Sequence, residues 1–228
     1  KLDAVRAFAR VNSIDRHIVQ SPHATVGIVT AGKAHYDFME VLRRLEISPE
    51  TLAQHGVRIY KLGLTYPIEP TRMTEFARGL NEILVIEEKG PVVETQLRDM
   101  FYNGPVRPVI IGKKDVTGVP LVSAAGELRP SRLIEIVANW LAAHYPDLDR
   151  RHLVRDFTLP ELLSNDSDSV KRLPYFCAGC PHNTSTKVPE GSHAQAGIGC
   201  HFMASWMDRA TEGLIQMGGE GVDWVSHA

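Results

Sequence analysis

Thr25-Val-Gly-Ile-Val-Thr-Ala-Gly32 reads as a buried strand ending in a tight turn. Its residues are apolar and mostly β-branched, and such side chains suit a pleated strand. The run closes on Ala31-Gly32, a turn signal. Directly behind it, Phe38, Val41, Leu42 and Leu45 recur at the i, i+3, i+4, i+7 spacing of a helix with one buried stripe. A strand leading at once into such a helix is the first half of a βαβ unit.

Downstream the alternation continues. Val57–Leu64 reads as the second strand, and Pro70 opens a helix that buries Met73, Phe76, Ala77 and Leu80. Ile83–Ile86 is the third strand. Pro91 opens a helix carrying Val93, Leu97, Met100 and Phe101 on one side. Val106–Ile111 is the fourth strand, and after a loop with Gly and Pro, Pro130 starts a helix striped by Leu133, Ile136, Val137, Trp140, Leu141 and His144. The expected fold class is therefore α/β, with helices on both faces of a parallel sheet that spans 25–146. Near-continuous apolar strands fit a sheet covered on both faces.

Upstream of that run, residues 1–24 read as a helix with Ala4, Phe8 and Val11 at helical spacing, followed by a polar tail. They are expected to be the end of a preceding domain and its linker. Residues 147–173 are polar, with Asn165-Asp-Ser-Asp-Ser169 as an exposed linker. Residues 174–228 then hold all three cysteines, four of the ten histidines and eight of the eighteen glycines. With little periodicity of either kind, this stretch reads as the truncated opening of a second domain.

Composition narrows the function. Hydrophobic residues at 43% and charged residues at 23% describe an ordinary globular chain. A net charge of -2 leaves no basic surplus to neutralise phosphates, which argues against a nucleic-acid partner. No apolar run is long enough to cross a bilayer, and the charged start Lys1-Leu-Asp-Ala-Val-Arg6 is no signal peptide. Three clustered cysteines without a secretion signal point to a metal or redox role in a reducing, cytoplasmic setting.

Cys177-Ala-Gly-Cys180 is a Cys-x2-Cys pair, and nineteen residues separate Cys180 from Cys200, which stands in Gly197-Ile-Gly-Cys200-His201. Three thiolates leave a tetrahedral zinc or a cubane cluster short of one ligand. His182, His193 or His201 can complete zinc; a further cysteine beyond residue 228 can complete a cluster. Free cysteines in a glycine-rich fold are the plainer alternative. Gly218-Gly-Glu-Gly221 is neither a P-loop nor a dinucleotide fingerprint, and on its own it reads as a turn or helix start. Glu87 and Glu88 close the third strand, where open sheets bind ligands, but read better as a solvated strand end.

Taken together, Leu173-Pro-Tyr-Phe-Cys-Ala-Gly-Cys-Pro-His182, Gly197-Ile-Gly-Cys200 and Met217-Gly-Gly-Glu-Gly-Val-Asp-Trp224 resemble the start of the thiamine-diphosphate domain of indolepyruvate ferredoxin oxidoreductases, the long fused bacterial form above all. Thr25–Gly32 and Ile83-Leu-Val-Ile-Glu-Glu-Lys-Gly90 resemble the transketolase C-terminal-like domain between that family's two thiamine-binding domains. The resemblance covers nearly the whole chain.

It implies an enzyme that oxidatively decarboxylates an arylpyruvate or related 2-oxoacid, with thiamine diphosphate as electron sink and Mg2+ on its diphosphate. Electrons would leave through [4Fe–4S] clusters to ferredoxin, and the acyl group would pass to coenzyme A. The resemblance further implies Cys177, Cys180 and Cys200 as cluster ligands, Gly199, His201, Gly218 and Gly219 as cofactor-binding residues, and a homo-oligomeric parent. The family's Gly-Asp-Gly…Asn magnesium motif does not appear, and its activating glutamate belongs to the preceding domain. The 228-residue piece is accordingly expected to be inactive while its parent is active. A reading from another class is a non-catalytic α/β module whose cysteines form a structural zinc knuckle for protein association.

Overall fold

The computed structural model describes residues 1–155, 173–222 and 224–227. The chain divides into two compact units at residue 165/166.

The first unit is built on a five-stranded sheet. In chain order its strands are β1 (Arg16–Val19), β2 (Val26–Ala31), β3 (Val57–Leu62), β4 (Glu82–Ile86) and β5 (Val109–Ile111). Their spatial order is β1-β3-β2-β4-β5. The pairs β2/β3, β2/β4 and β4/β5 are parallel, with Val26 opposite both Val57 and Glu82. Strands Ile28–Ile86 alternate their side chains between two cores, as the period of 2 requires. On one face, Ile28, Ile59, Leu84 and Ile86 pack with helices α2 (Gly32–Arg44), α3 (Pro49–Gln54) and α6 (Pro130–His144). On the other, Val29, Tyr60, Leu62, Ile83 and Val85 pack with α4 (Pro70–Ala77) and α5 (Val92–Phe101). Phe38, Val41, Leu42 and Leu45 all lie in the first core, each contributing roughly 2 kcal/mol by leaving water. The α/β class, its four parallel strands and the helices on both faces thus match the sequence reading.

Three boundaries differ from that reading. Part of the stretch 1–24, expected to be a helix and linker, joins the sheet. α1 (Leu2–Val11) is followed by β1, which adds antiparallel to β3 with Arg16 opposite Lys61. Ile14 and Asp15 fasten this edge: Asp15 Oδ1 accepts the N–H groups of Gly63 (2.8 Å) and Leu64 (3.3 Å). Those two donors are thereby withdrawn from the ladder, and β3 ends at Leu62 instead of Leu64. The expected stripe of α1 is also reversed, for Phe8 and Val11 are exposed and Ala9 is buried.

β5 starts at Val109, not Val106, because Pro108 has no N–H to give the ladder. At the far end, the unit does not stop at residue 146. Leu148, Leu153 and Val154 pack onto the α6 side of the core through two 3-10 turns, Pro146–Leu148 and Arg151–Leu153. The expected linker stretch Asn165–Ser169 lies outside the described residues.

Among its described residues the second unit carries short elements: α7 (His182–Ser185), β6 (Ala194–Gln195), a 3-10 helix at Gly199–Trp206, β7 (Thr211–Glu212) and α8 (Trp224–His227). β6 and β7 pair in parallel. Phe176, Thr186, Ala196 and Ala204 are buried within it.

Candidate functional site

The carboxyl ends of β2 and β4 are the topological switch point of the sheet, since the connection from β2 leads to one side and that from β4 to the other. Open α/β sheets bind ligands in such a crevice. Here the chain's own side chains bridge it. Lys33 Nζ donates to Asp37 Oδ2 (2.8 Å) and to the Leu128 carbonyl (2.8 Å), and pairs with Glu127 at 3.3 Å. The Asp37 hydrogen bond above all raises the Lys33 pKa. Glu88 accepts the Leu128 N–H at 3.1 Å.

Glu87 is a correction to the solvated strand end expected for it. It is only 5% exposed, and its two carboxylate oxygens accept the N–H groups of Val93 (2.8 Å) and Glu94 (2.9 Å). The N-cap of α5 is Pro91, which has no side chain able to cap, so Glu87 supplies the acceptors from the strand end. Glu94 is buried as well; it accepts the Lys113 N–H at 2.7 Å and pairs with Arg98 at 2.7 Å. Burial lowers the pKa of Lys113, whose ammonium donates to the Glu87 carbonyl. These charges hold strand, helix and loop together. At the amino end of the parallel strands, a groove of about 650 Å³ is lined by His17, Arg58, Glu75, Phe76 and Arg78 among others. Its Arg58 guanidinium is bound to the carbonyls of Ser21, Phe76 and Arg78.

The chemistry-bearing residues of the second unit begin at Phe176. Cys177 and Cys180 flank a turn closed by Cys180 N–H on the Cys177 carbonyl (3.0 Å). Gly179 sits there at φ +74, the third turn position that favours glycine. The Asn183 side chain also donates to the Cys177 carbonyl (3.1 Å). α7 then presents His182, whose Nδ1 lies 3.3 Å from Cys180 Sγ and whose ring stacks on Phe176 at 5.2 Å. From the other half, β6 leads into Gly197-Ile-Gly-Cys200. Gly197 N–H donates to His201 Nδ1 at 2.6 Å, and the His201 ring stands 6.1 Å from that of His182.

The second and third motifs of the sequence are thus treated differently. Cys180, His182 and His201 are brought into one neighbourhood. Cys177 and Cys200 are exposed, Cys180 is half-buried, and all three are free thiols. Among the described residues no three His, Cys, Asp or Glu side chains converge closely enough to hold a metal ion. His193 is exposed. Gly218 and Gly219 form a turn of their own, with Gly219 N–H on the Gln216 carbonyl (3.1 Å) and Gly218 at φ +85. Phe176, Thr186 and Arg209 were not foreseen as parts of the site. Arg209 donates to the Asn183 carbonyl (3.1 Å) and Thr186 Oγ1 (3.3 Å), tying the lead into β7 to α7.

The donor chemistry fits an iron–sulfur cluster. Three unpaired thiols are available, and at Gly179 and Gly199 nothing lies within 4 Å of where a Cβ would stand, which leaves room beside two of them. A cubane takes its thiolates at separate corners, so it does not ask three sulfurs to meet on one ion.

An open, largely parallel sheet with helices on both faces defines the class of the first unit: an α/β protein. Residues 16–153 match the indolepyruvate oxidoreductase domain, and the chain belongs to that family. It is similar to the indolepyruvate oxidoreductase subunit IorA of Pyrococcus horikoshii, at 28% identity over 206 residues covering 86% of this chain and 28% of the relative. The corresponding subunit of Thermococcus kodakarensis is 28% identical over 166 residues, 71% of this chain and 22% of the relative. The chain therefore spans about a quarter of the length of these curated relatives. Among solved structures it is similar to a 2-oxoglutarate:ferredoxin oxidoreductase from Magnetococcus marinus with 2-oxoglutarate, coenzyme A and succinyl-CoA bound (TM-score 0.36, 17% identity, 58% of this chain and 21% of that one). A split-gene transketolase gives a TM-score of 0.34 at 19% identity, over 63% of this chain and 42% of that one.

Proposed function

We propose that the chain is part of a cytoplasmic, homo-oligomeric 2-oxoacid ferredoxin oxidoreductase that oxidatively decarboxylates an arylpyruvate such as indolepyruvate. The observation that carries this is family membership over residues 16–153 in a chain that goes on to Cys-x2-Cys-Pro-His and Gly-x-Gly-Cys-His. Residues 25–146 would serve as the transketolase C-terminal-like domain, and 174–228 would belong to the thiamine-diphosphate and iron–sulfur domain. When bound, thiamine diphosphate with Mg2+ supplies the electron sink for loss of CO2, and a [4Fe–4S] cluster passes the electrons on to ferredoxin while coenzyme A takes the acyl group.

In this reading Cys177, Cys180 and Cys200 hold the cluster as thiolates, soft ligands suited to iron–sulfur sites. Gly199 and His201, next to Cys200, lie against the cofactors; His201 is already held by the Gly197 N–H. Gly218 and Gly219 give a diphosphate close approach to the backbone, and a Cβ at Gly218 would meet nothing within 4 Å. No residue of this chain is assigned to Mg2+.

Iron, acid-labile sulfide and zinc analysis of the anaerobically purified protein tests the reading, together with Cys200→Ser. The expected result is iron with sulfide in the parent, and loss of the brown absorbance and of ferredoxin reduction in the variant. Stoichiometric zinc without iron, or full iron and electron transfer in Cys200→Ser, would replace the cluster by a structural zinc knuckle or free thiols.

A further inference from the structure

We infer that His182 is a positioning residue for Cys180: it donates its Nδ1–H to the Cys180 sulfur and so raises the reduction potential of the cluster which that sulfur binds. The inference rests on the cluster reading above. Its geometric basis is the 3.3 Å separation of Cys180 Sγ and His182 Nδ1, within hydrogen-bond range for sulfur. A coordinated thiolate carries no proton, so the hydrogen in that contact has to come from the ring.

The ring is not free to leave. It lies on Phe176 at 5.2 Å and 22°, and Phe176 is itself 5% exposed. The backbone of His182 is fixed from below, since its carbonyl accepts both the N–H (3.2 Å) and the hydroxyl (2.6 Å) of buried Thr186. Asn183 N–H on the Cys180 carbonyl (3.0 Å) and the Asn183 side chain on the Cys177 carbonyl tie the same helix turn to the cysteine loop. His182 and Cys180 are therefore one mechanical unit. His201, the other histidine nearby, is committed to the opposite tautomer: its Nδ1 accepts from Gly197 N–H, so its proton sits on Nε2. Among the described residues, His182 is the histidine whose Nδ1 lies within hydrogen-bond range of a cysteine sulfur.

A hydrogen bond to a ligating sulfur stabilises the reduced, more negative cluster and moves the potential upward. The test is a substitution series in the anaerobically reconstituted protein, read by EPR-monitored redox titration, Fe–S stretching frequencies and iron content. His182→Asn keeps an amide donor where Nδ1 stood; His182→Gln moves the donor to the Nε2 position; His182→Phe keeps the stacking and removes the donor. The expected order has wild type and Asn together, with Gln and Phe at more negative midpoints and higher Fe–S(Cys) frequencies, at equal iron content. A Phe variant with the wild-type midpoint and frequencies overturns the inference. If Phe does not assemble a cluster, the comparison of Asn with Gln decides, and equal midpoints overturn it. Cys180→Ala in the same series separates the two levels: full iron in that variant defeats the cluster reading itself, whereas lost iron with equal midpoints across the His182 series defeats the role of His182 alone.

Discussion

Glu87 brings two acceptor oxygens from the end of β4 into the first turn of α5, and both are used. Glu87→Gln turns one of those oxygens into an N–H2 facing an N–H donor and removes the negative charge from a helix start. Hydrogen bonds to charged groups and the helix dipole together put the loss at about 2 kcal/mol. Urea unfolding should show a lowered midpoint with an unchanged slope; a midpoint within error of wild type would mean the cap is replaceable by water. The residue also marks what the sequence hides. Glu87 and Glu88 are adjacent and chemically alike, yet one is buried under α5 and the other reaches the Leu128 N–H. That choice follows from the way strand and helix meet. In the cysteine region, spacing alone named Cys177, Cys180, Cys200 and the histidines, because thiol pairs and flanking glycines are local signals. The stacking of Phe176 on His182 and the reach of Arg209 to α7 have no local signal and emerged only from the fold.

Between elements, the same contrast separates what was legible from what was not. The long runs Val26–Ala31, Val57–Leu62 and Glu82–Ile86 and their single-stripe helices were readable because burial on both faces leaves apolar runs no alternative. β1 was not. Its four residues include Arg16 and His17, both exposed, and it is defined by pairing with Lys61 and Tyr60 more than forty residues on. α3 did leave a signal, Ser48-Pro49-Glu50, with Ser48 Oγ accepting the Thr51 N–H and proline at the first turn. At the end of α3, His55 Nε2 meets Asp147 Oδ2 at 2.6 Å and so fastens that helix to the turn after α6. The His55 pKa is raised, by its hydrogen bond to the Thr51 carbonyl first and by Asp147 second; that of Asp147 is lowered by His55. A raised histidine stabilises the fold below its unfolded pKa and loses that contribution as pH rises through the folded value. A lowered aspartate contributes above its unfolded pKa and loses it as pH falls. The pair is thus fully formed between about pH 4 and pH 6.5. Asp147→Asn should lower Tm more at pH 5.5 than at pH 8.5, and an equal loss at both would show that the pair adds nothing through charge.

For the molecule as a whole, the two units differ in kind. Both hydrophobic cores of the first are built from residues up to Val154, with Phe38, Phe76, Leu97 and Leu141 at their centres. Among its described residues the second unit buries little, and the longest regular element there is a 3-10 helix of eight residues. This asymmetry was visible in the sequence as the shift from apolar periodicity to cysteine, histidine and glycine after residue 173. A chain ending at residue 165 should therefore fold as the α/β unit alone. Of the three tryptophans it keeps only Trp140, which is 7% exposed and donates from Nε1 to Glu82 Oε1 at 2.6 Å. Its fluorescence should be that of a buried indole and should red-shift in one cooperative step on addition of urea. Because the cores lie wholly within the shortened chain, its stability should match that of the α/β transition in the longer protein to within about 0.5 kcal/mol, the range of changes that leave a core untouched. Cys177→Ser, Cys180→Ser and Cys200→Ser in the longer protein should leave that Trp140 transition where it is. A gradual, non-cooperative change in the shortened chain would mean that the sheet needs the second unit to close, and the division into two units would then describe geometry without describing folding.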